Sequence, residues 1–171
     1  YGSVTVDTNG FLFHDFLDNV EPSALDFLSF SLDGPTPEVN DPLRGEGVFD
    51  VCTKNLKAAV AKGFNTSLIY TVSKYNIEHL HKMVPLLAEW GVKRFFIQVI
   101  GIRGKTAKNG ADKWQIAPEE WLEVIPRVAA DAATHGITAT FPKVFLEPEA
   151  KLECAGRVAE NYFIFSNGRV Y

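Results

Sequence analysis

The residues with the clearest chemical potential are a hydroxyl, a carboxylate and a guanidinium that lie close together in the chain. Ser31 and Asp33 belong to the segment Ser-Leu-Asp-Gly-Pro at 31–35, and Arg44 ends the segment Asn-Asp-Pro-Leu-Arg at 40–44. Side chains two apart on a strand face the same side of a sheet. A hydroxyl and a guanidinium fork together suit a carboxylate ligand. The alternative is structural: a turn in which Asp33 bonds its own backbone, beside a surface arginine.

Two other patterns resemble binding motifs less well. The segment Gly-Ile-Arg-Gly-Lys-Thr at 101–106 imitates the end of a phosphate-binding loop, but Val99 stands where that motif needs glycine, and residues 107–112 are typical of a loop instead of a helix. His79 and His81 lie two apart on a predicted helix, so their side chains point in different directions and are not expected to share a metal.

The two cysteines have different expected roles. Cys52 lies on the apolar side of a predicted helix, which indicates a small buried hydrophobic residue. Cys154 lies outside the regular pattern, before a predicted hairpin. A free structural thiol and a metal–sulfur ligand both remain open for it on these grounds.

Composition excludes several classes of partner. The chain has 171 residues, of which 46% are hydrophobic, and a net charge of −4 from 17 basic and 21 acidic residues. There is no basic surface of the kind that binds nucleic acid or anionic membrane. No apolar run is long enough to span a bilayer. Two distant cysteines are no disulfide framework, so a reducing cytoplasm is the expected location.

Short apolar runs alternate with helical patterns along most of the chain. Strands are predicted at 4–7, 27–32, 66–72, 94–100 and 137–141, and helices at 48–61, after Asn76 as a capping residue, and from Pro118. Pro85 and Pro126 lie within predicted helices and are expected to kink them. This alternation predicts a parallel sheet with right-handed crossovers, in which ligands bind at the carboxyl-terminal ends of the strands.

The pattern changes after residue 141. Residues 142–171 contain a charged stretch and then two short apolar runs around Asn167-Gly168, which predict a β-hairpin. We therefore expect one unit at 1–141 and the start of a second at 142–171.

An ordered set of segments resembles the radical S-adenosylmethionine (SAM) superfamily over roughly residues 4–104. The set comprises Thr8-Asn9-Gly10, Ser31-Leu32-Asp33-Gly34, Arg44-Gly45, Thr71-Val72 with Asn76, and the strand that ends near Gly101. The resemblance implies an α/β fold, a partial (β/α)6 TIM-like barrel whose strands three to six are the first four predicted here.

The resemblance also implies a SAM site at the strand ends. Ser31 and Arg44 match the positions that hold the aminoacyl carboxylate of SAM. The backbone of Val99 and Ile100 matches the region that approaches the adenine, and Asn9 and Asp33 support the site from the same edge.

The sequence departs from the family in lacking the Cys-x3-Cys-x2-Cys motif that ligates a [4Fe–4S] cluster, and the Gly-Gly-Glu motif. Both are expected upstream of Tyr1. The whole protein is then expected to be a radical SAM iron–sulfur oxidoreductase or a peptide- or cofactor-maturing enzyme, which cleaves SAM reductively to a 5′-deoxyadenosyl radical. The chain alone is expected to be inactive.

The tail resembles the start of a SPASM or twitch extension. In such extensions cysteines bind auxiliary iron–sulfur clusters, which implies that Cys154 is a metal ligand.

Two alternatives remain beside the radical enzyme: a SAM-independent (β/α)-barrel enzyme that uses a phosphate or carboxylate substrate, and a non-catalytic module that binds a peptide. A small-molecule or peptide substrate is the expected partner. Because a partial barrel leaves two sheet edges exposed, the chain by itself is also expected to dimerise.

Overall fold

A parallel five-stranded sheet forms the centre of the chain. The computed structural model describes residues 3–101 and 113–145. The strands are β1 (Thr5–Thr8), β2 (Phe27–Ser31), β3 (Thr66–Val72), β4 (Arg94–Val99) and β5 (Thr138–Thr140). They pair in sequence order, and every pair is parallel. Within the described residues the sheet does not close, so it is one wall of a barrel, which confirms the predicted partial (β/α) architecture.

Helices connect the strands. They are α1 (Phe16–Asn19), α2 (Pro37–Arg44), α3 (Val48–Lys62), α4 (Met83–Trp90) and α5 (Pro118–Thr134), with 3-10 helices at Pro22–Ala24 and Ile77–Lys82. Helix α3 ends at Gly63, whose φ of 93° is the left-handed conformation that stops a helix at little cost. Pro118 begins α5, where its missing N–H leaves no acceptor unsatisfied. No helix in the described part of the chain is long and apolar enough to cross a bilayer.

One face of the sheet packs against the helices and forms the core. Leu28, Phe30, Leu68, Tyr70 and Phe95 alternate along their strands and are fully buried on this face. The helices contribute a matching set of buried side chains, including Cys52, Leu56, Leu80, Met83, Val84, Leu87 and Ile125. The prediction that Cys52 acts as a small buried hydrophobic residue is therefore confirmed.

The opposite face of the sheet carries a row of polar side chains. The strand register aligns one residue from each strand in this row: Asp7, Ser29, Ser67, Arg94 and Thr138. The hydroxyls of Ser29 and Ser67 are buried and lie 2.6 Å apart. In a barrel this face is the interior, so this one layer of the interior is polar.

Pro85 lies at the start of a helix and not in its interior, where the sequence placed it. Helix α4 begins only at Met83, after the 3-10 helix, so Pro85 lies in the first helical turn. A backbone N–H in that turn has no partner within the helix, and a proline there removes nothing. Helix α5, by contrast, continues through Pro126.

Candidate functional site

Most of the predicted site residues lie at the carboxyl-terminal edge of the sheet. Ser31 is the last residue of β2, Asp33 follows it, and Val99 is the last residue of β4. Asn9 comes directly after β1. Because all strands run in the same direction, these ends share one edge, which is the edge where (β/α) barrels bind ligands.

Every polar group of Asp33 is bound. Its carboxylate Oδ1 accepts a hydrogen bond from the Thr71 backbone N–H at 2.7 Å, and Oδ2 lies 2.7 Å from Arg44 Nε. Its backbone N–H donates to Asn40 Oδ1 at 2.8 Å, and its carbonyl accepts from Asn76 Nδ2 at 2.9 Å. Asp33 is 7% exposed, and contacts from β3 and α2 fix its carboxylate while Asn40 and Asn76 fix its backbone.

Arg44 reaches this edge through its contact with Asp33. Its buried Nε has no aligned acceptor, so its contact with Asp33 is an ion pair and not a full hydrogen bond. Among the described residues, nothing bonds the Nη1 and Nη2 nitrogens, and about a fifth of the side chain (21%) is exposed. The hydroxyl of half-buried Ser31 also has no partner there. Two kinds of donor are thus available for an anionic ligand.

Cys52 lies near both of these residues. Its thiol contacts the Ser31 carbonyl oxygen at 3.7 Å. Burial raises the pKa of the Cys52 thiol to about 12, and the charge of nearby Arg44 opposes part of that rise. Cys52 therefore packs against the end of β2 and stays protonated near neutral pH.

Helix α2, which the sequence pattern did not reveal, carries Arg44 to the sheet. Asn40 and Arg44 are one turn apart on the same side of this helix, and both reach Asp33. Asn40 also donates to Asp41 Oδ1 at 3.0 Å. The Asp41 carboxylate in turn accepts the backbone N–H groups of Gly47 and Phe49, which fixes the connection to α3.

Asn76 does not act as the helix cap that the sequence suggested. Its side chain makes no cap hydrogen bond to the 3-10 helix that it precedes. Instead, Nδ2 donates to the carbonyls of Asp33 and Thr71, both at 2.9 Å, and Oδ1 accepts from the Ser73 N–H at 2.8 Å. It is fully buried and joins the ends of β2 and β3.

The remaining predicted residues line other parts of the same edge. Asn9 is exposed, and its side-chain oxygen accepts the Phe11 N–H, closing a turn. Ile100 extends β4 by donating its N–H to the Val72 carbonyl at 3.0 Å. A pocket of about 410 Å³ lies between β4 and β5. It is lined by Phe96, Ile97, Gln98, Val99, Thr140, Phe141 and Pro142.

The described residues do not fit an iron–sulfur cluster. They contain one cysteine, Cys52, which is buried, and no group of three or more histidine, cysteine or carboxylate side chains that could hold a metal. Cys154 and the predicted hairpin fall outside residues 3–101 and 113–145, so the assignment of Cys154 as a ligand stays a prediction.

Residues 1–87 match the family model described as the radical SAM superfamily. The mycofactocin maturase MftC of Mycolicibacterium smegmatis is 32% identical over 88 residues, which are 51% of this chain and 21% of that protein. A probable GTP 3′,8-cyclase of Saccharolobus islandicus is 27% identical over 129 residues, covering 73% and 41% of the two chains.

Among solved structures, Streptococcus suis SuiB bound to SAM covers 87% of this chain and 36% of its own, with a TM-score of 0.68 and 15% identity. SuiB bound to the precursor peptide SuiA gives a TM-score of 0.64 and 16% identity, over 80% of this chain and 30% of its own. At such identities these matches establish the fold.

The chain spans between about a fifth and two fifths of the length of the curated relatives named above. The family model covers just over half of this chain, and the partial parallel barrel agrees with it. The family uses SAM together with a [4Fe–4S] cluster. The chain belongs to the radical SAM superfamily.

Proposed function

We propose that this chain supplies the part of a radical SAM barrel that binds the aminoacyl carboxylate of SAM, through the Ser31 hydroxyl and the Arg44 guanidinium. One observation carries the proposal: Arg44 Nε lies 2.7 Å from Asp33 Oδ2, and among the described residues nothing hydrogen-bonds its outer nitrogens or the Ser31 hydroxyl at the same sheet edge. An arginine fixed in this way is ready to form a bidentate, charge-assisted pair with a carboxylate.

The contacts of Arg44 favour a ligand over a purely structural role. If the Arg44–Asp33 pair served only to join α2 to the sheet, the strongest arrangement would be a bidentate one, in which two guanidinium nitrogens bond the two carboxylate oxygens. Here the contact between Nε and Oδ2 is not aligned as a hydrogen bond, and the Nη nitrogens lack hydrogen-bond acceptors among the described residues. A bound carboxylate would provide those acceptors.

The pocket between β4 and β5 supports a place for the adenine. Val99 lines it, together with the aromatic side chains of Phe96 and Phe141. A flat heteroaromatic ring suits such a wall, which Gln98 and Thr140 also line. Val99 and Ile100 would then contact the nucleoside, while Ser31 and Arg44 hold the amino-acid end. Asn9 would support the site from β1.

SAM, when bound beside the reduced cluster, supplies radical chemistry by reductive cleavage. This chain contributes binding and orientation. We propose that the cluster-binding cysteines belong to an upstream segment of a longer enzyme and that residues 1–141 form the later part of its barrel. Residues 142–171 would begin a SPASM- or twitch-like extension, with Cys154 a ligand of an auxiliary cluster.

A peptide substrate is the class that we favour for the whole enzyme. SuiB is solved with a precursor peptide, and MftC is named as a maturase. The GTP 3′,8-cyclase relative makes a small-molecule substrate the alternative. Catalysis, a cytoplasmic location, inactivity of the isolated chain and its dimerisation through exposed sheet edges all remain predictions.

The test is equilibrium binding of SAM to a full-length, cluster-containing protein that includes this sequence. Arg44→Gln and Ser31→Ala should each weaken SAM binding, the arginine change by about tenfold or more because it removes a charge-assisted pair. Arg127→Gln is the matched control, since Arg127 is 76% exposed on α5 and pairs with Glu123 one turn earlier. SAM affinity that stays unchanged in Arg44→Gln would refute the proposed site.

A further inference from the structure

We propose that Asn40 and Asn76 are positioning residues for the carboxylate-binding guanidinium: they hold the backbone of Asp33 from both sides and thereby set the orientation of Arg44. This inference rests on the proposed binding of the SAM carboxylate by Arg44 and extends it to residues that do not touch SAM.

The two carboxamides bind opposite backbone groups of the same residue. Asn40 accepts the Asp33 N–H at 2.8 Å, and Asn76 donates to the Asp33 carbonyl at 2.9 Å. Both asparagines are 0% exposed. A buried carboxamide costs free energy unless its hydrogen bonds are made, and these two make bonds on both of their polar ends.

The orientation of Asp33 passes directly to Arg44. With its peptide groups fixed on either side, Asp33 has little backbone freedom, and Thr71 holds one carboxylate oxygen at 2.7 Å. The other oxygen faces Arg44 Nε at 2.7 Å. A rotation of Asp33 would therefore turn or release the guanidinium, because no other acceptor among the described residues holds it.

The two asparagines reach Asp33 from different elements. Asn40 lies on α2, the helix that also carries Arg44, and Asn76 lies beyond β3. Asn40 therefore fixes the distance between the helix and the sheet edge, while Asn76 fixes the end of β2 against β3. Loss of either contact should therefore let Asp33 move, and Arg44 should lose its fixed orientation in both cases.

A comparison of two ligands separates positioning from general structural support. Decarboxylated SAM retains the nucleoside and the sulfonium but lacks the carboxylate. In the full-length, cluster-containing protein, the ratio of its dissociation constant to that of SAM measures the contribution of the carboxylate. Arg44→Gln should lower this ratio by about tenfold or more, and the Ser31 hydroxyl accounts for what remains. Asn40→Ala and Asn76→Ala should each lower it by about fivefold or more, with the affinity for decarboxylated SAM nearly unchanged.

Asn65→Ala is the control, because its exposed carboxamide bonds the Asp26 carbonyl at the opposite end of the sheet, and its ratio should equal that of the unchanged protein. If Arg44→Gln lowers the ratio but the asparagine variants do not, the positioning role is wrong while the proposed function stands. If Arg44→Gln itself leaves the ratio unchanged, the proposed function fails.

Equal weakening of both ligands by the asparagine variants would also overturn the inference, since it would indicate a structural role alone. Should an alanine variant not fold, Asn40→Ser and Asn76→Ser, which leave smaller cavities, take its place. Failure of all four variants to fold would count against the inference, because these residues would then be needed for the fold itself.

Discussion

Arg44 Nε and Asp33 Oδ2 lie 2.7 Å apart and join the last turn of α2 to the end of β2. The aspartate side chain is 10% exposed and the arginine 21% exposed. Removal of one partner from a pair this well buried leaves an uncompensated charge, whereas exposed pairs contribute little.

Asp33→Asn should therefore lower the free energy of unfolding by about 2 kcal/mol, less than for a fully buried pair because Arg44 can still reach water. Equilibrium urea denaturation measures this change. Glu123→Gln, which breaks the exposed pair with Arg127 on α5, should change it by less than about 0.5 kcal/mol. If the two substitutions lowered the unfolding free energy equally, the Asp33–Arg44 pair would contribute no more than an exposed pair.

Gly34 is needed because α2 packs directly against it. A Cβ added there would lie 2.6 Å from the Asn40 backbone nitrogen and 2.7 Å from the Val39 side chain. Since backbone cannot move aside cheaply, Gly34→Ala should cost about 3 kcal/mol of stability and displace α2, weakening SAM binding as well. Thermal unfolding together with SAM titration tests both effects.

Gly136→Ala is the comparison for that experiment. Gly136 has a φ of 70°, but an added Cβ would meet nothing within 4 Å. Gly136→Ala should lower the stability by about 1 kcal/mol, because of the backbone conformation alone, and should leave SAM binding unaffected. If Gly34→Ala lowered the stability no more than Gly136→Ala does, α2 could not pack against Gly34 as closely as described.

The buried hydroxyls of Ser29 and Ser67, 2.6 Å apart, should behave as a coupled pair. Ser29→Ala or Ser67→Ala alone leaves one hydroxyl buried without its partner and should cost about 1–2 kcal/mol. The double variant should cost less than the sum of the single variants by about 1 kcal/mol, as measured by a double-mutant cycle in urea. Simple additivity would mean that the two hydroxyls do not interact.

Stability should fall in alkaline solution because of Cys52. Burial raises the pKa of this thiol from 9.0 to about 12, so above pH 9 the unfolded chain loses the proton while the folded chain keeps it. This contribution is complete below pH 9 and is lost as the pH rises toward 12, at up to about 1.4 kcal/mol per pH unit. Unfolding free energies measured from about pH 8 to about pH 10 should decline less steeply in Cys52→Ala. Parallel slopes would show that Cys52 is not the source.

The sequence predicted the sheet well because apolar, β-branched runs are local signals. Strand β3 matched its prediction, and the other strands differed by one or two residues at their ends. Helix α2 was missed because its sequence offers only Val39 and Leu43 as regularly spaced apolar residues and contains Pro42. A polar helix of this kind is stabilised by its contacts with the sheet, which periodicity does not reveal.

The site was predictable only in part. Ser31, Asp33 and Arg44 could be singled out from residue type and spacing. The roles of Asn40 and Asn76 could not, because they depend on contacts between separate elements; Asn76 bonds a residue 43 positions earlier in the chain. An asparagine before a helix most often caps it, and only the packing of β2 against β3 shows otherwise.

The position of Asn40 and Arg44 one turn apart on α2 has a consequence for motion. Any local opening that lifts this helix from the sheet breaks both anchors to Asp33 together, so Arg44 keeps its position beside Asp33 only while the whole helix is docked. On the proposed function, SAM would then slow amide hydrogen exchange throughout α2, including at amides far from the ligand, and the helix would close over its substrate as a single cooperative unit.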